Sequence, residues 1–340
     1  MAEFNQAEAR LYDLTCQLLQ IHESLLKDSL RNRTFYAALA ASVTSSSRVL
    51  DIGSGTGIWA IKAAQLGAAR VVAVEREPLM AGMIQALALE NGVADRVEVL
   101  QADVGEIRLE KEFDLVISET IGHLIFDEQI VDIMIDARKR FLKPDGAVIP
   151  RAAGLVVAPA YLAPSHGTLP ADIEADFDYF ESMLLNVPVA LTGKTRLEIL
   201  GEPQELVNVD LAIVERLPNL VNLKAVWADF EVRRVNGFAV WAEARLSDEI
   251  QLSTMDTTSW STTVYPIRPF QKLFGRLELD LTLTNITNYW TATLVTEAGR
   301  EEQSYSPALA GTELLARSRV PAETFGHLKR LGLLGSALRI

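Results

Sequence analysis

Between Arg48 and Pro150 short apolar runs alternate with longer amphipathic ones: RVLDI, IWAIKAAQLG, RVVAVE, LMAGMIQALALENG, RVEVLQAD, FDLVISE, EQIVDIMIDARKRFL and GAVIP. Strands separated in this way pair in parallel, because the return to the same end of a sheet takes a crossover helix rather than a tight turn. The pattern predicts an α/β, Rossmann-like domain. Before it, residues 3–40 carry apolar side chains at helical spacing, with Leu18, Leu19, Leu25, Leu26 and Leu30 marking amphipathic helices. After Pro150 the helical signal fades and strand-like runs dominate, among them GLVVAPAYL, LVNLKAVWADFEV, FAVWAEARL and RLELDLTLTNI. The expected organisation is a helical cap over 1–40, a nucleotide-binding domain over 41–150 and a β-rich domain over 151–340. The stretch 165–186 interrupts the last of these. It is acidic and aromatic, with Phe177, Tyr179 and Phe180 at helix-compatible spacing.

Composition narrows the chemistry. The 340 residues, 49% hydrophobic and 23% charged, suffice for a sizeable core and favour about two domains. The segment MAEFNQAEAR lacks a basic region followed by an apolar stretch, and no run approaches the roughly 18 apolar residues of a membrane span. A cytoplasmic address with no membrane partner is expected. Cys16 is the single cysteine and the histidines number four, so an intramolecular disulfide and a cysteine-based zinc cluster are excluded and no metal site is expected. The formal charge of -13 argues against a nucleic-acid partner, since affinity for phosphates rests on lysine and arginine. The acidic surplus reads equally as solubility and as steering of a cationic partner.

Gly53, Gly55 and Gly57 follow the strand Val49 to Ile52 and precede a helix, so the backbone can turn tightly and approach a ligand without side-chain obstruction. Glu75 ends the next strand, 18 residues beyond Gly57, where a carboxylate can accept both hydroxyls of a ribose. Asp103, with Val104 beside it, ends the third strand and is placed to meet the exocyclic amine of an adenine. A dinucleotide dehydrogenase shares this half-fold, but DIGSGTG is not its GxGxxG spacing and no substrate-side histidine motif follows.

SETIGHLIFDE places Glu119 and Glu128 nine residues apart around an apolar loop. Two carboxylates beside a cofactor pocket are costly to desolvate unless a cation pairs with them, and a planar guanidinium fits two of them best. The plainer alternative makes Glu119 a strand-end acid and Glu128 a first-turn residue favoured by the helix dipole.

Taken together these segments resemble the protein arginine methyltransferases, within the class I methyltransferases that use S-adenosylmethionine. IHESLLKDSLR at 21–31 looks like the segment in which an arginine, here Arg31, binds the cofactor's carboxylate. VLDIGSGTG, with Asp51 and the three glycines, matches the cofactor loop, Glu75 the ribose-binding acid, and SETIGHLIFDE the double-glutamate loop. TSWSTTVYP at 258–266 looks like the family's Thr-His-Trp loop in a β-barrel domain. The resemblance implies a Rossmann-like domain with N-terminal helices followed by a β-barrel-like domain, S-adenosylmethionine as cofactor, and a homodimer in which an arm, here 165–186, meets a second copy.

The departures from that pattern bear on substrate rather than cofactor. Where the family has Trp-Met-Gly-Tyr after the first glutamate, this chain has Thr120, Ile121, Gly122 and His123. The family histidine of the barrel loop is Ser259, although the acid that pairs with it, Asp28, is retained; a serine cannot relay protons near neutral pH as an imidazole can. Cys16 and Asp13 fall near the positions of an aromatic pair that closes over the substrate in many members. His123 reads either as a substitute proton carrier or as a packed or solvent-facing residue, and His22 as packing or capping a helix; no role follows for His166. Trp260 is a candidate for the substrate rim, as are Tyr265 and Phe270, though aromatic residues in a barrel more often form core. Ile130 and Ile121 bear on the room around an acceptor. The expected activity is methyl transfer to arginine in a protein or peptide. The alternatives are a methyltransferase of free arginine or another small guanidine, and a cofactor-binding regulator that has lost catalysis.

Overall fold

The computed structural model describes residues 6–122, 124–163, 176–192, 196–284 and 287–311. Two compact units divide the chain: one takes Met1–Gly154, Asn208–Leu217 and Ala242–Ser261, the other Leu155–Val207, Pro218–Trp241 and Thr262–Ile340.

In the first unit, α1 (Gln6–Lys27) and α2 (Ser29–Ser42) precede the sheet. They are separate helices because Asp28 breaks the first and caps the second, its carboxylate accepting from the Arg31 backbone N–H at 3.1 Å. The sheet then builds as the alternation requires: β1 (Arg48–Ile52), α3 (Ile58–Gln65), β2 (Arg70–Glu75), α4 (Pro78–Glu90), β3 (Val97–Gln101), β4 (Phe113–Ser118), α5 (Ile130–Arg140) and β5 (Leu142–Ile149). The strands lie parallel in the order β3-β2-β1-β4-β5. Val49, Leu50, Val71, Val72, Leu115, Val116 and Ile117 are all 1% exposed or less, as expected of strands covered by helices on both faces. Each such side chain stabilises by about 1.5–3 kcal/mol. The order reverses between β1 and β4, and a crevice opens at the carboxyl ends of strands flanking such a switch point. Gly53 and Glu119 stand just beyond those ends, and Glu75 closes the neighbouring strand β2.

The β-rich part begins at β6 (Ala152–Leu162). It continues through α6 (Asp178–Leu184), β7 (Val189–Thr192), β8 (Leu197–Ile199), β9 (Gln204–Asp210), β10 (Leu223–Glu231), β11 (Gly237–Arg245), β12 (Gln251–Ser253), β13 (Ser261–Pro266), β14 (Phe274–Leu283), β15 (Asn288–Thr296) and β16 (Gly299–Tyr305). These strands form a seven-stranded and a four-stranded sheet, the latter antiparallel in the order β10-β14-β15-β16. The barrel-like expectation is met by sheets in open order. In β14, Leu277, Leu279, Leu281 and Leu283 are buried at every second position. Tyr265 and Phe270 are core, not rim, at 0% and 6% exposure. Trp290 joins them with its indole N–H donated to the Pro266 carbonyl at 2.8 Å. Of the stretch 165–186, residues 165–175 lie outside the described residues. Phe177 and Phe180 are exposed at and within α6. Among the described residues no helix is long and apolar enough to cross a membrane.

Candidate active site

The glycine loop leaves β1 through three left-handed residues, Gly53, Gly55 and Gly57, at φ 68°, 55° and 76°. Conformation and space both require glycine there. A Cβ would come within 2.8 Å of the Thr120 methyl at Gly53, 2.5 Å of the His22 ring at Gly55 and 2.7 Å of an Ile84 methyl at Gly57. Asp51, buried in β1, reaches the start of α3 and accepts from the Ala60 N–H at 3.1 Å, while its Oδ1 has no partner. Complete burial pushes this carboxyl up to about 7, against hydrogen bonds from Ser54 and Ala60, and the Glu75 and Glu119 carboxylates add to the rise. Glu75, 8% exposed, lies across from the loop: Oε2 accepts from Gly55 N–H at 2.8 Å and Oε1 from Glu77 N–H at 2.9 Å. Asp103 sits two residues beyond β3, exposed, bonded to the Gly105 N–H at 2.8 Å. The carbonyl of half-buried Val104 accepts from Arg140 at 3.1 Å.

Arg31 projects from the first turn of α2 and is 2% exposed. One terminal nitrogen donates to the Leu25 carbonyl at 3.4 Å and to Asn32 at 2.7 Å, and the other is ion-paired with Glu119; Nε is buried without a partner. The Glu119 side chain is 9% exposed. Burial raises its pKa, opposed by Arg31 and by the Trp260 indole N–H, with Asp28 adding a smaller push upward. Trp260, 4% exposed, is therefore a buried partner of Glu119 and Arg31 rather than an open rim.

The loop after Glu119 is tightly folded. Ile121 and Ile125 are fully buried, and Ile125 holds φ 65°, a strained value for a β-branched residue. A Cβ at Gly122 would lie 2.2 Å from an Asp127 oxygen. Gln129 caps α5 at φ 63°, so Glu128 precedes the helix instead of occupying its first turn, and Ile130 is fully buried behind it. Glu128 is open to solvent. Its carboxyl is nonetheless pushed up to about 7 by desolvation, by the Glu119 carboxylate and by Asp127, against the pull of Arg76. The charge of Glu119 thus reaches the Glu128 carboxyl. His123 lies outside the described residues.

Asp28 and Ser259 meet. One carboxylate oxygen of Asp28 accepts from Ser259 Oγ at 2.7 Å, Ser259 N–H at 2.9 Å and Thr258 N–H at 2.8 Å. Burial alone would raise this carboxyl, but the bonds from Arg31, Ser259 and Thr258 hold it below its ordinary range. Sequence reasoning missed the place of His22, whose ring packs on Gly55 and feels both Glu75 and Arg31; burial lowers its pKa. Nothing in the helical periodicity of α1 marks that residue.

Three comparisons bear on this arrangement. The methyltransferase domain family matches residues 49–146. Protein arginine N-methyltransferase 6 of Danio rerio is 26% identical over 259 residues, covering 72% of this chain and 74% of the relative. The probable protein arginine N-methyltransferase 6 of Arabidopsis thaliana is 38% identical over 141 residues, covering 41% of this chain and 32% of its own length. Among solved structures, the Trypanosoma brucei PRMT1 enzyme-prozyme heterotetrameric complex with AdoHcy matches with a TM-score of 0.71 at 22% identity, covering 84% of this chain and 97% of that one. Arabidopsis thaliana protein arginine methyltransferase 10 matches with a TM-score of 0.69 over the same shares. These two share the fold.

Proposed function

We propose that the chain is a member of the protein arginine N-methyltransferase family and moves a methyl group from S-adenosylmethionine to a guanidino nitrogen of arginine in a protein or peptide. The observation that carries the reading is Glu119, buried beside the switch point, ion-paired with one guanidinium and acting by its charge on the second carboxylate, Glu128.

The residues present fit the cofactor. Gly53, Gly55 and Gly57 leave room for its backbone approach, and Glu75 stands where ribose hydroxyls would compete for its oxygens, with His22 over the same loop. Two buried atoms without partners, Arg31 Nε and Asp51 Oδ1, match its carboxylate and its ammonium group in charge. Asp103 and Val104 would meet its adenine. When bound, S-adenosylmethionine supplies an electrophilic methyl group on a sulfonium.

Guanidinium is a poor nucleophile because its charge is delocalised and its pKa exceeds about 12. Glu119 and Glu128, accepting from different nitrogens, hold its plane and draw positive charge away from the attacking nitrogen, which aligns it for in-line displacement. Glu128, open to water with a pKa near neutrality, is the carboxylate suited to take the proton lost on transfer. Asp28 and Ser259 fasten the segment that carries Trp260 onto Glu119. Ile121 and Ile130 back the acceptor's loop.

A second reading, methylation of free arginine or another small guanidine, is favoured by one feature: Thr120, whose methyl packs on Gly53, stands where the family pattern has tryptophan. We further assign the helical cap to 1–40, the cofactor domain to 41–150 and the substrate domain to 151–340. The exposed aromatics Phe177 and Phe180 of the 165–186 arm support a homodimer, and the single cysteine suits a cytoplasmic address. Incubation with methyl-labelled cofactor and an arginine-rich peptide, free arginine or no acceptor tests the reading by mass spectrometry. Label on the peptide is expected, label on free arginine alone favours the second reading, and cofactor binding without transfer overturns both.

A further inference from the structure

Arg31 is enclosed by rings as well as by oxygen acceptors. Its guanidinium carbon lies 5.5 Å from the centroid of Trp59, 5.8 Å from Phe35 and 5.7 Å from Trp260. Phe35 and Trp59 stack with centroids 5.1 Å apart and planes 24° from parallel, while Trp260 meets Phe35 edge-on at 6.3 Å and 72°. None of the three is more than 4% exposed. They come from three separate parts of the chain: Phe35 one turn along α2 from Arg31, Trp59 at the start of α3 directly after the glycine loop, and Trp260 from the segment tied to Asp28. A cation held against aromatic faces is stabilised without any hydrogen-bond acceptor being used. The rings therefore enclose the guanidinium while leaving one donor, the buried Nε–H, without a partner.

We propose that Trp59 is a positioning residue for the cofactor's carboxylate, acting through Arg31: with Phe35 and Trp260 it boxes the guanidinium so that one terminal nitrogen stays on Glu119 and Nε–H stays available to the carboxylate. The inference rests on the methyltransferase reading and adds a residue to it. Without the indole, Arg31 gains room to tilt, and the carboxylate meets a donor that must first be ordered.

Binding of two probes to the full chain separates this role from general support of the fold. S-adenosylhomocysteine carries the carboxylate; 5′-methylthioadenosine shares the nucleoside and lacks it. For Trp59→Leu the expected result is about a tenfold rise in the Kd of S-adenosylhomocysteine, the size of one lost cation–π contact, with the Kd of methylthioadenosine unchanged. Trp59→Phe, which keeps a ring in place, should return S-adenosylhomocysteine binding to within about threefold of wild type. In an Arg31→Met background the Trp59→Leu effect should vanish. Equal weakening of both probes, or a persisting effect in the Arg31→Met background, would overturn the proposal while leaving the enzymatic reading intact. Binding of neither probe by the wild-type chain would overturn the reading and the proposal together. Should Trp59→Leu not fold, Trp59→Phe and Trp59→Met give the same comparison, with tighter S-adenosylhomocysteine binding by Phe expected and equal binding fatal to the idea.

Discussion

Two residues carry opposite lessons about charge. Glu128 works only as an anion, yet its neighbours push its pKa up to about 7, so kcat/KM for a guanidine acceptor should rise with pH through that region as the free enzyme deprotonates. Glu128→Gln should lower kcat by about a hundredfold or more and abolish that ascending limb; an unchanged limb measured over pH 5.5–8.5 would remove Glu128 from the titration. Asp28 is held as an anion instead, and its bonds make it a strut. Because three backbone N–H groups still reach the Asp28 carboxylate when the serine hydroxyl is removed, Ser259→Ala should cost less than about 1.5 kcal/mol and keep activity within a few fold. Asp28→Ala loses the helix cap as well, about 1–2 kcal/mol, and frees the segment behind Trp260. Comparison of Tm and kcat for the two variants decides the matter, and a loss of a hundredfold in Ser259→Ala would mean that the hydroxyl handles protons after all.

At the level of elements, the turn from β4 into α5 is shaped by residues that hold left-handed backbone around Glu128. Gly122 lies at φ 61° with Asp127 pressed against it, and Ile125 and Gln129 hold left-handed backbone on either side of Glu128. Gly122→Ala forces a Cβ into the Asp127 carboxylate, so the expected result is a drop in kcat of at least tenfold with a change in Tm of only a few degrees, since the displaced segment is outside the sheet. A wild-type kcat in that variant would show that the loop's shape is not used. The same turn marks the boundary of what sequence periodicity can reveal. Strands β1 to β5 and their helices were legible because burial on both faces writes itself as apolar runs, and Gly53, Gly55 and Gly57 because three glycines after a strand have few other uses. The motif spacing pointed to Glu119, Glu128 and Glu75, and the resemblance added Arg31. What spacing could not express was contact between distant segments: Asp28 and Ser259, 231 positions apart, were paired by the resemblance alone. Trp59 looked like any apolar residue of α3, and His22 like any residue of an amphipathic helix. Their partners are fixed by tertiary packing alone.

For the molecule as a whole, the site concentrates acids whose charge the fold itself resists. Asp51, fully buried, and Glu128 are both pushed up to about 7, and Glu119 is raised as well. A carboxyl whose pKa is higher folded than unfolded binds more protons in the native state between those two values. Its penalty on stability is absent below the unfolded value near 4, grows as pH rises, and is complete above about 7. Asp28 and Asp114, whose pKa values are lowered, act in the other direction only as pH falls below about 4, whereas His22, lowered by burial, opposes the slope as pH falls through the ordinary imidazole range, one group against three raised carboxyls. Cofactor-free protein should therefore melt at higher temperature at pH 5.5 than at pH 8. Asp51→Asn should flatten that slope and raise Tm at pH 8, while weakening S-adenosylhomocysteine by removing the acceptor suited to its ammonium group. Saturating S-adenosylhomocysteine should flatten the slope in the wild type by neutralising the same acid. Calorimetry across pH 5.5–8 reads all three. A Tm that climbs with pH in the free protein, or a slope that Asp51→Asn leaves untouched, would mean that the buried acid is compensated within the fold, and that its charge is not kept in reserve for a cationic ligand.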